Sequence, residues 1–483
     1  MTSPGSTPVA EVLAAIENSP SGPEYGAFFD LDGTLVQGYT AGTFASDRLR
    51  RGEVGPGEFA RVLLAAVDGT VLGGNPQSVG EVGFASLRGH SEDELNEIAE
   101  RLFHQKIAST IRPEARAIVR AHLRKGHTVA VASAATRPQI EPVARDLGIS
   151  HLLCTELEVE DGILTGRAVE GMLWGDRKAK AVRAFGKEHG IDLPASTAYA
   201  NGHEDIAFLS SVGHPHALNP HPLLRAAAEQ YGWPVVMLRE PRTAGLRSVV
   251  RTGAALAGLN AGLAAGVAYG VIKQDRKAGI NKGIELATRT ALSLGGVKLN
   301  VVGREHIDAA RPAVFIGNHQ SSLDPVVVGA LLEHDVTGVA KKEAKYDPRM
   351  LMMTLFMDPA FIDRGNVNSA KATLDGVVDK LRGGTSVMIF PEGTRLPTPV
   401  LGRFKKGAFH IAMQAGVPVV PIVIRNAGEL MWRGATFMNE GTVDIAVLPP
   451  IPTEDWTADD LEARVAEVRQ LYVDTLDDWP GDS

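Results

Sequence analysis

A chain of 483 residues with 44% hydrophobic content is long enough for two or three domains with real cores. Its formal charge of −8 argues against nucleic acid as a partner. The single cysteine, Cys154, excludes an intrachain disulfide and a cysteine-ligated metal cluster, which fits a reducing compartment.

Residues 1–25 read as a polar lead-in. Glu11, Glu17 and Glu24 interrupt it without any long apolar run, so no secretory signal is expected. The first strand signal, Ala27-Phe28-Phe29, runs into Asp30-Leu31-Asp32-Gly33-Thr34-Leu35. A buried strand ending in two carboxylates and a Gly-Thr turn suits phosphate chemistry, because sites in open α/β sheets lie at the carboxyl ends of strands. Asp30 is the candidate to attack phosphorus and Asp32 the candidate to carry the proton. An ordinary Asp-Gly turn is the plain alternative.

Three later blocks bear on that choice: Val129-Ala130-Val131-Ala132-Ser133, Gly175-Asp176-Arg177-Lys178 and Tyr199-Ala200-Asn201-Gly202-His203-Glu204-Asp205. With the first block they make residues 26–238 resemble the haloacid dehalogenase-like phosphatases of the phosphoserine phosphatase branch. The resemblance implies a Rossmann-like α/β domain with a helical cap at about residues 37–110. It implies that Ser133 binds the phosphoryl group and that Lys178, with Lys180 as a close alternative, neutralises charge on the phosphate and nucleophile. It also implies Mg2+ on Asp30, the carbonyl of Asp32, Asn201 and Asp205. Asn201 departs from the family, which has Asp there, and an amide brings no charge to a cation that prefers carboxylates. An active phosphomonoesterase and a non-catalytic scaffold therefore both stay open.

After Leu238 the chain changes character. Arg239, Arg242, Arg247 and Arg251 precede an uncharged stretch, Thr252 to Ile272, and Lys273, Arg276, Lys277 and Lys282 follow it. Its length is enough to cross a bilayer. Gly258, Gly262, Gly266 and Gly270 recur every fourth residue, the smooth packing stripe of membrane helices. Basic residues at both ends give no inside-positive bias, so a helix pair along one leaflet is preferred to a single span. Residues 239–296 are assigned to this linker and pair, with the second helix at about Ile280 to Leu294. The stripe allows pairing within the chain or in a homodimer.

Ala313-Val314-Phe315-Ile316-Gly317 is the next strand-like run, and Asn318-His319-Gln320-Ser321-Ser322-Leu323-Asp324-Pro325 follows it. A neutral imidazole can take a proton from a hydroxyl, and a carboxylate on its other nitrogen sets the tautomer. Asp324-Pro325 reads equally well as the start of the apolar helix to Leu332. Downstream stand Phe361-Ile362-Asp363-Arg364-Gly365-Asn366, Phe390-Pro391-Glu392-Gly393-Thr394-Arg395 and Val417-Pro418-Val419-Val420-Pro421-Ile422. In order and spacing these four blocks resemble the glycerolipid acyltransferases of the PlsC-like, 1-acylglycerol-3-phosphate family, over about residues 290 to 450.

That resemblance implies an α/β acyltransferase domain at residues 297–452. His319 would be the base and Asp324 its orienting partner. Arg364, Glu392, Gly393 and Arg395 would bind the acceptor, and the two guanidinium groups suit a phosphate monoester. Lys405 and Lys406 read as phosphate or CoA contacts, or as solvated lysines. Met350 to Met357 reads as an acyl-chain groove or as core. Residues 453–483 carry an amphipathic helix, Thr457 to Tyr472, with Thr457 and Asp460 resembling a capping box.

The expected whole is a phosphatase-like domain, a membrane-contacting helix pair and an acyltransferase domain. The expected reaction moves an acyl group from acyl-CoA or acyl carrier protein to lysophosphatidate or another lysophospholipid, at the cytoplasmic face of the cell membrane.

Overall fold

Gly26–Phe29 (β1) is buried on both faces, as a short run of small and aromatic residues should be at the centre of a parallel sheet. The other strands of this half are Thr128–Thr136 (β2), His151–Thr155 (β3), Leu157–Glu160 (β4), Ile163–Ala168 (β5), Thr197–Ala200 (β6), His214–Leu218 (β7) and Val235–Val236 (β8). Six of them form one parallel sheet in the order β3-β2-β1-β6-β7-β8. The chain leaves β1 in one direction for β2 and β3, then returns to its other side for β6, β7 and β8. This makes β1 the edge of the switch-point crevice, where open α/β sheets bind their ligands. β4 and β5 make a separate hairpin whose Asp161 and Gly162 both have positive φ, the requirement of a tight two-residue turn.

The computed structural model describes residues 7–52, 76–240, 245–341, 360–362 and 367–481. The chain divides into two units, Met1–Pro241 and Arg242–Ser483. In the first unit the segment inserted after β1 begins and ends on a short stem. The amide of Gln37 donates to the carbonyl of Thr110 and that of Arg112 to the carbonyl of Leu35. Helices Thr40–Arg51, Pro76–Ala85 and Glu92–Leu102 lie within the insertion. The lead-in is more structured than its composition suggests. Helix Val9–Glu17 buries Val12 and Ile16, one turn apart, and the amide of Thr7 donates to Val235 beside β8.

A chain of buried rings runs behind β1. His127 Nε2 meets the carbonyl of Pro20 at 2.8 Å, His127 Nδ1 meets His122 Nδ1 at 2.8 Å, and His122 Nε2 meets the Tyr199 hydroxyl at 2.8 Å. The Pro20 carbonyl can only accept, so His127 donates to it. For a pair of neutral imidazoles, His122 then donates to His127 and Tyr199 to His122. Burial, reinforced by His127 and His216, pushes the His122 imidazole down to about 3.

The second unit opens with two antiparallel helices, Leu246–Lys273 and Arg276–Gly295. Gln274 turns the chain in the left-handed conformation, and Asp275 caps the second helix by accepting from the Ala278 amide at 3.0 Å. The second helix is longer than the expected Ile280–Leu294. The glycine stripe lies against it: a β-carbon at Gly262 would stand 2.3 Å from the Ala287 nitrogen, and one at Gly266 2.3 Å from the Gly283 Cα. Of the two pairings the stripe allows, within the chain or between chains, the structure holds the one within the chain. Ser248 and Thr252 bond to Asn439 and Met438, which docks the first helix on the sheet that follows.

That sheet contains Val297–Val302 (β9), Val314–Gly317 (β10), Val336–Lys341 (β11), Ala360–Ile362 (β12), Ser386–Ile389 (β13), Val419–Ile424 (β14) and Gly441–Val447 (β15). Its order is β12-β11-β13-β10-β14-β15-β9, with β15 antiparallel to β14 and parallel to β9. Side chains alternate between two cores, as a period of two demands. Phe315, Val420 and Ile422 pack with Leu292, Val327 and Leu331, whereas Val314, Ile316 and Val419 pack with Phe409, Val468 and Tyr472.

Candidate active sites

β10 delivers His319 to the end of the central strand. Asn318, just before it, clasps β14 with both ends of its amide: Nδ2 donates to the Ile424 carbonyl at 2.8 Å and Oδ1 accepts from the Ile424 amide at 2.7 Å. His319 Nδ1 lies 2.8 Å from Asp324 Oδ2. The same oxygen accepts from the amides of Gln320 and Ser321, each at 2.8 Å. Asp324 is the first residue of helix Asp324–Leu332 and is fully buried, so its carboxylate faces back into the loop. Nδ1–H therefore donates to Asp324, which leaves the Nε2 lone pair free to accept a proton. The ring stacks on Phe390, with centroids 4.2 Å apart, and stays part-exposed.

Glu392 lies against the same histidine. Its Oε1 accepts from the His319 amide at 2.7 Å and its Oε2 from the Gly402 amide at 2.8 Å. Burial pushes this carboxyl up to about 7 against the pull of those two bonds. Glu392, expected at the acceptor, thus holds two main-chain amides of the site with its two oxygens. Gly393 takes a left-handed φ of 71° to close the Phe390–Gly393 turn. Arg395 is half-buried and donates to the hydroxyl of Ser322, three residues from His319. Lys406 pairs with Glu462 at 3.0 Å. Arg364 and Met350 to Met357 lie outside the described residues.

In the first unit Asp30 follows β1 directly. Lys178, buried near the start of helix Asp176–Glu188, reaches Asp30 Oδ1 and Asp205 Oδ1, each at 2.7 Å. Its ammonium stays charged: burial works against the charge, and the two carboxylates outweigh it. Lys180 is exposed, so Lys178 is the lysine that the fold places in the site. Burial pushes the Asp205 carboxyl up to about 7, with Lys178 opposing and Asp30 adding to the push. Asp32 accepts from the amide and hydroxyl of Thr40 at 2.9 and 3.2 Å, and burial raises its carboxyl to about 7. Thr34 donates towards Asp30 Oδ2 at 3.2 Å and lies 3.3 Å from the Asn201 oxygen. Ser133 is buried within β2, in the stretch where its register with β3 shifts.

Sequence reading missed Thr34, Thr40, Phe390 and Asn318. Thr34 and Phe390 stand inside quoted blocks. Thr40 had no signal, because only the return of the chain into helix Thr40–Arg51 brings it to Asp32.

For Mg2+ the donors available are all oxygens, the hard ligands this ion takes: Asp30, the main-chain carbonyl of Asp32, the Asn201 amide and Asp205. Lys178 takes Oδ1 of each aspartate, and Asp30 Oδ2 also accepts from Thr34. The set fits Mg2+ with two carboxylates. Among the described residues no cluster of three His, Cys, Asp or Glu is present.

Comparison with known proteins bears on both sites. A family model described as haloacid dehalogenase-like hydrolase matches residues 27–210, and one described as acyltransferase matches residues 298–425. The 1-acyl-sn-glycerol-3-phosphate acyltransferase of Saccharomyces cerevisiae is 36% identical over 184 residues, 38% of this chain and 60% of that protein. Phosphoserine phosphatase SerB1 of Mycobacterium tuberculosis is 34% identical over 242 residues, 49% of this chain and 79% of that protein. Among solved structures, the 1-acyl-sn-glycerophosphate acyltransferase PlsC of Thermotoga maritima is 24% identical with a TM-score of 0.42. That match covers 48% of this chain and 95% of the PlsC chain.

Proposed function

Because the chain belongs to the haloacid dehalogenase-like hydrolases in its first half and carries an acyltransferase domain in its second, we propose that it acylates 1-acylglycerol 3-phosphate to phosphatidate. The acyl donor is acyl-CoA or an acylated carrier protein. The observation that carries this reading is the His319–Asp324 pair, a part-exposed imidazole whose Nδ1 is bound by a buried carboxylate.

In this mechanism Nε2 takes the proton of the acceptor hydroxyl as its oxygen attacks the thioester carbonyl. Asp324 stabilises the imidazolium that forms. The tetrahedral intermediate collapses to the new ester, the C–S bond breaks, and His319 returns the proton to the leaving thiolate. Arg395, beside Ser322, supplies a cation for the acceptor phosphate, and Arg364 is assigned the same role.

The helix pair supports action at a membrane surface, which we take to be the cytoplasmic face because the substrates of both halves are expected there. Leu246–Lys273 is long and apolar enough to cross a bilayer. Its outer face exposes Val250, Leu256, Val267, Val271 and Ile272. Its partner helix carries Arg276, Lys277, Lys282, Glu285 and Arg289, which would be costly to place in hydrocarbon. Contact with one leaflet satisfies both helices.

A second reading concerns the first unit, and the Lys178 bridge between Asp30 and Asp205 favours it. Asp30 attacks the phosphorus of a phosphomonoester, and Asp32 gives its proton to the departing alkoxide. Water then hydrolyses the aspartyl phosphate, with Asp32 taking its proton. Asp30, the main-chain carbonyl of Asp32, Asn201 and Asp205 would hold Mg2+, which would supply charge neutralisation for the phosphoryl oxygens. A scaffold that has lost turnover through Asn201 is the alternative.

One incubation tests these readings: purified protein in detergent with lysophosphatidate, acyl-CoA and Mg2+, followed by identification of the lipids. Phosphatidate alone supports the acyltransferase with an idle first unit. Diacylglycerol with released phosphate supports both activities in sequence. Full acyl transfer by a folded His319→Ala variant overturns the base, and phosphate release unaffected by Asp30→Asn overturns the phosphatase reading of this site. Turnover gained by Asn201→Asp in an inert protein supports the scaffold.

A further inference from the structure

The C-terminal helix Leu461–Asp477 lies beyond the matched acyltransferase segment, yet it reaches the backbone on both sides of His319. Tyr472 is fully buried and its hydroxyl stands between the two central strands. It donates to the Ile316 carbonyl of β10 at 2.7 Å and accepts from the Ile422 amide of β14 at 3.1 Å. The hydroxyl thus bonds both strands of this parallel pair, in which Gly317 stands opposite Ile422, and it meets β10 at Ile316, three residues before His319. Phe404 packs edge-on against the Tyr472 ring and holds it in place.

One turn earlier on the same helix, Arg469 donates from Nε to the Gly402 carbonyl at 2.8 Å and from Nη2 to the Leu401 carbonyl at 2.7 Å. Gly402 in turn donates its amide to Glu392, and Glu392 holds the amide of His319. Tyr472 thereby grips the strand that leads into the histidine, and Arg469 grips the loop that holds its amide from the other side. The pair is spaced i, i+3, so both side chains project from one face of the helix.

We infer that Tyr472 and Arg469 are positioning residues for acyl transfer, through which the C-terminal helix sets the place of the His319 ring. This rests on the reading of His319 as the base. Apolar packing alone would have been met by Leu461, Val465 and Val468, which are buried on the same helix. The two polar side chains bind main-chain groups next to the catalytic block. A displacement of about an ångström at a base costs on the order of tenfold to a hundredfold in rate.

The test uses the full chain in detergent micelles with lysophosphatidate and acyl-CoA. Tyr472→Phe and Arg469→Ala are expected to lower kcat on the order of tenfold or more with KM changed less than about twofold. Arg469→Lys should recover part of that loss. Val465→Ala, which weakens the packing of the same helix without touching either contact, is the control for stability. It should lower the melting temperature at least as much as Tyr472→Phe while keeping kcat within about twofold. The inference is overturned if Tyr472→Phe keeps full kcat, or if Val465→Ala loses as much. His319→Ala, measured alongside, separates the two failures: an inactive His319→Ala with a fully active Tyr472→Phe removes this inference and leaves the base in place.

Discussion

The amide of His319 and the side chain of Glu392 are joined by a 2.7 Å hydrogen bond across 73 positions of sequence. The same carboxylate binds Gly402, so it serves as a brace for backbone. Glu392→Gln keeps one acceptor and turns an NH2 group on a donor. The expected outcome is a loss of about 1–3 kcal/mol in stability and a drop in kcat, read by thermal unfolding and initial rates.

The pH dependence of that brace has a definite sign. The Glu392 carboxyl is held at about 7 in the folded protein against an ordinary 4.5. The folded state therefore keeps a proton that the unfolded chain has released, and the group's contribution is present below about 4.5 and lost as pH rises through about 7. The stability difference between wild type and Glu392→Gln should shrink over that window. A difference that grows with pH would contradict the assignment.

Asp324 offers a milder replacement. Its Oδ2 takes all three donors, and its buried Oδ1 has no hydrogen-bond partner. An asparagine can keep its carbonyl in the Oδ2 position and turn its NH2 to the other side. Asp324→Asn should fold normally yet lose on the order of 10²- to 10⁴-fold in kcat, because no charge remains to stabilise the imidazolium. Circular dichroism and product formation measured on one preparation check both halves of this expectation.

Gly266 and Gly253 lie on one helix and should respond oppositely. A β-carbon at Gly266 meets the Gly283 Cα at 2.3 Å, whereas one at Gly253 meets nothing within 4 Å. Gly266→Val should cost about 1–3 kcal/mol by forcing the helix pair apart. Gly253→Ala should be neutral or stabilising by up to about 1 kcal/mol. Thermal unfolding in detergent distinguishes them, and flotation with lipid vesicles should show weaker binding only for the valine variant.

His122 should make the first unit acid-sensitive. Its imidazole is neutral in the folded state, with a value of about 3 against an ordinary 6.5. The unfolded chain takes up the proton first, so this contribution is present above about 6.5 and lost as pH falls toward 3. The loss between pH 7 and pH 4 is roughly 3 kcal/mol at most. Melting temperature measured against pH should fall on the acid side, and His122→Gln should flatten that fall.

The sequence alone determined the two-part α/β organisation, the glycine-striped helix and the chemistry of each block. Those signals are local: an apolar run ending in charged residues, a period of four, a histidine and an aspartate five positions apart. Only the tertiary structure decided which lysine enters the phosphatase-like site, since Lys178 and Lys180 differ by two positions and the helix turns one inward and the other out. It also decided that the glycine stripe is filled by the chain's own second helix, that Glu392 braces His319, and that the Tyr472 hydroxyl bonds both β10 and β14. Each of those contacts joins residues whose separation along the chain carries no periodicity. A hydrogen bond depends on distance in space, and that distance is set only when the sheet and its covering helices have closed.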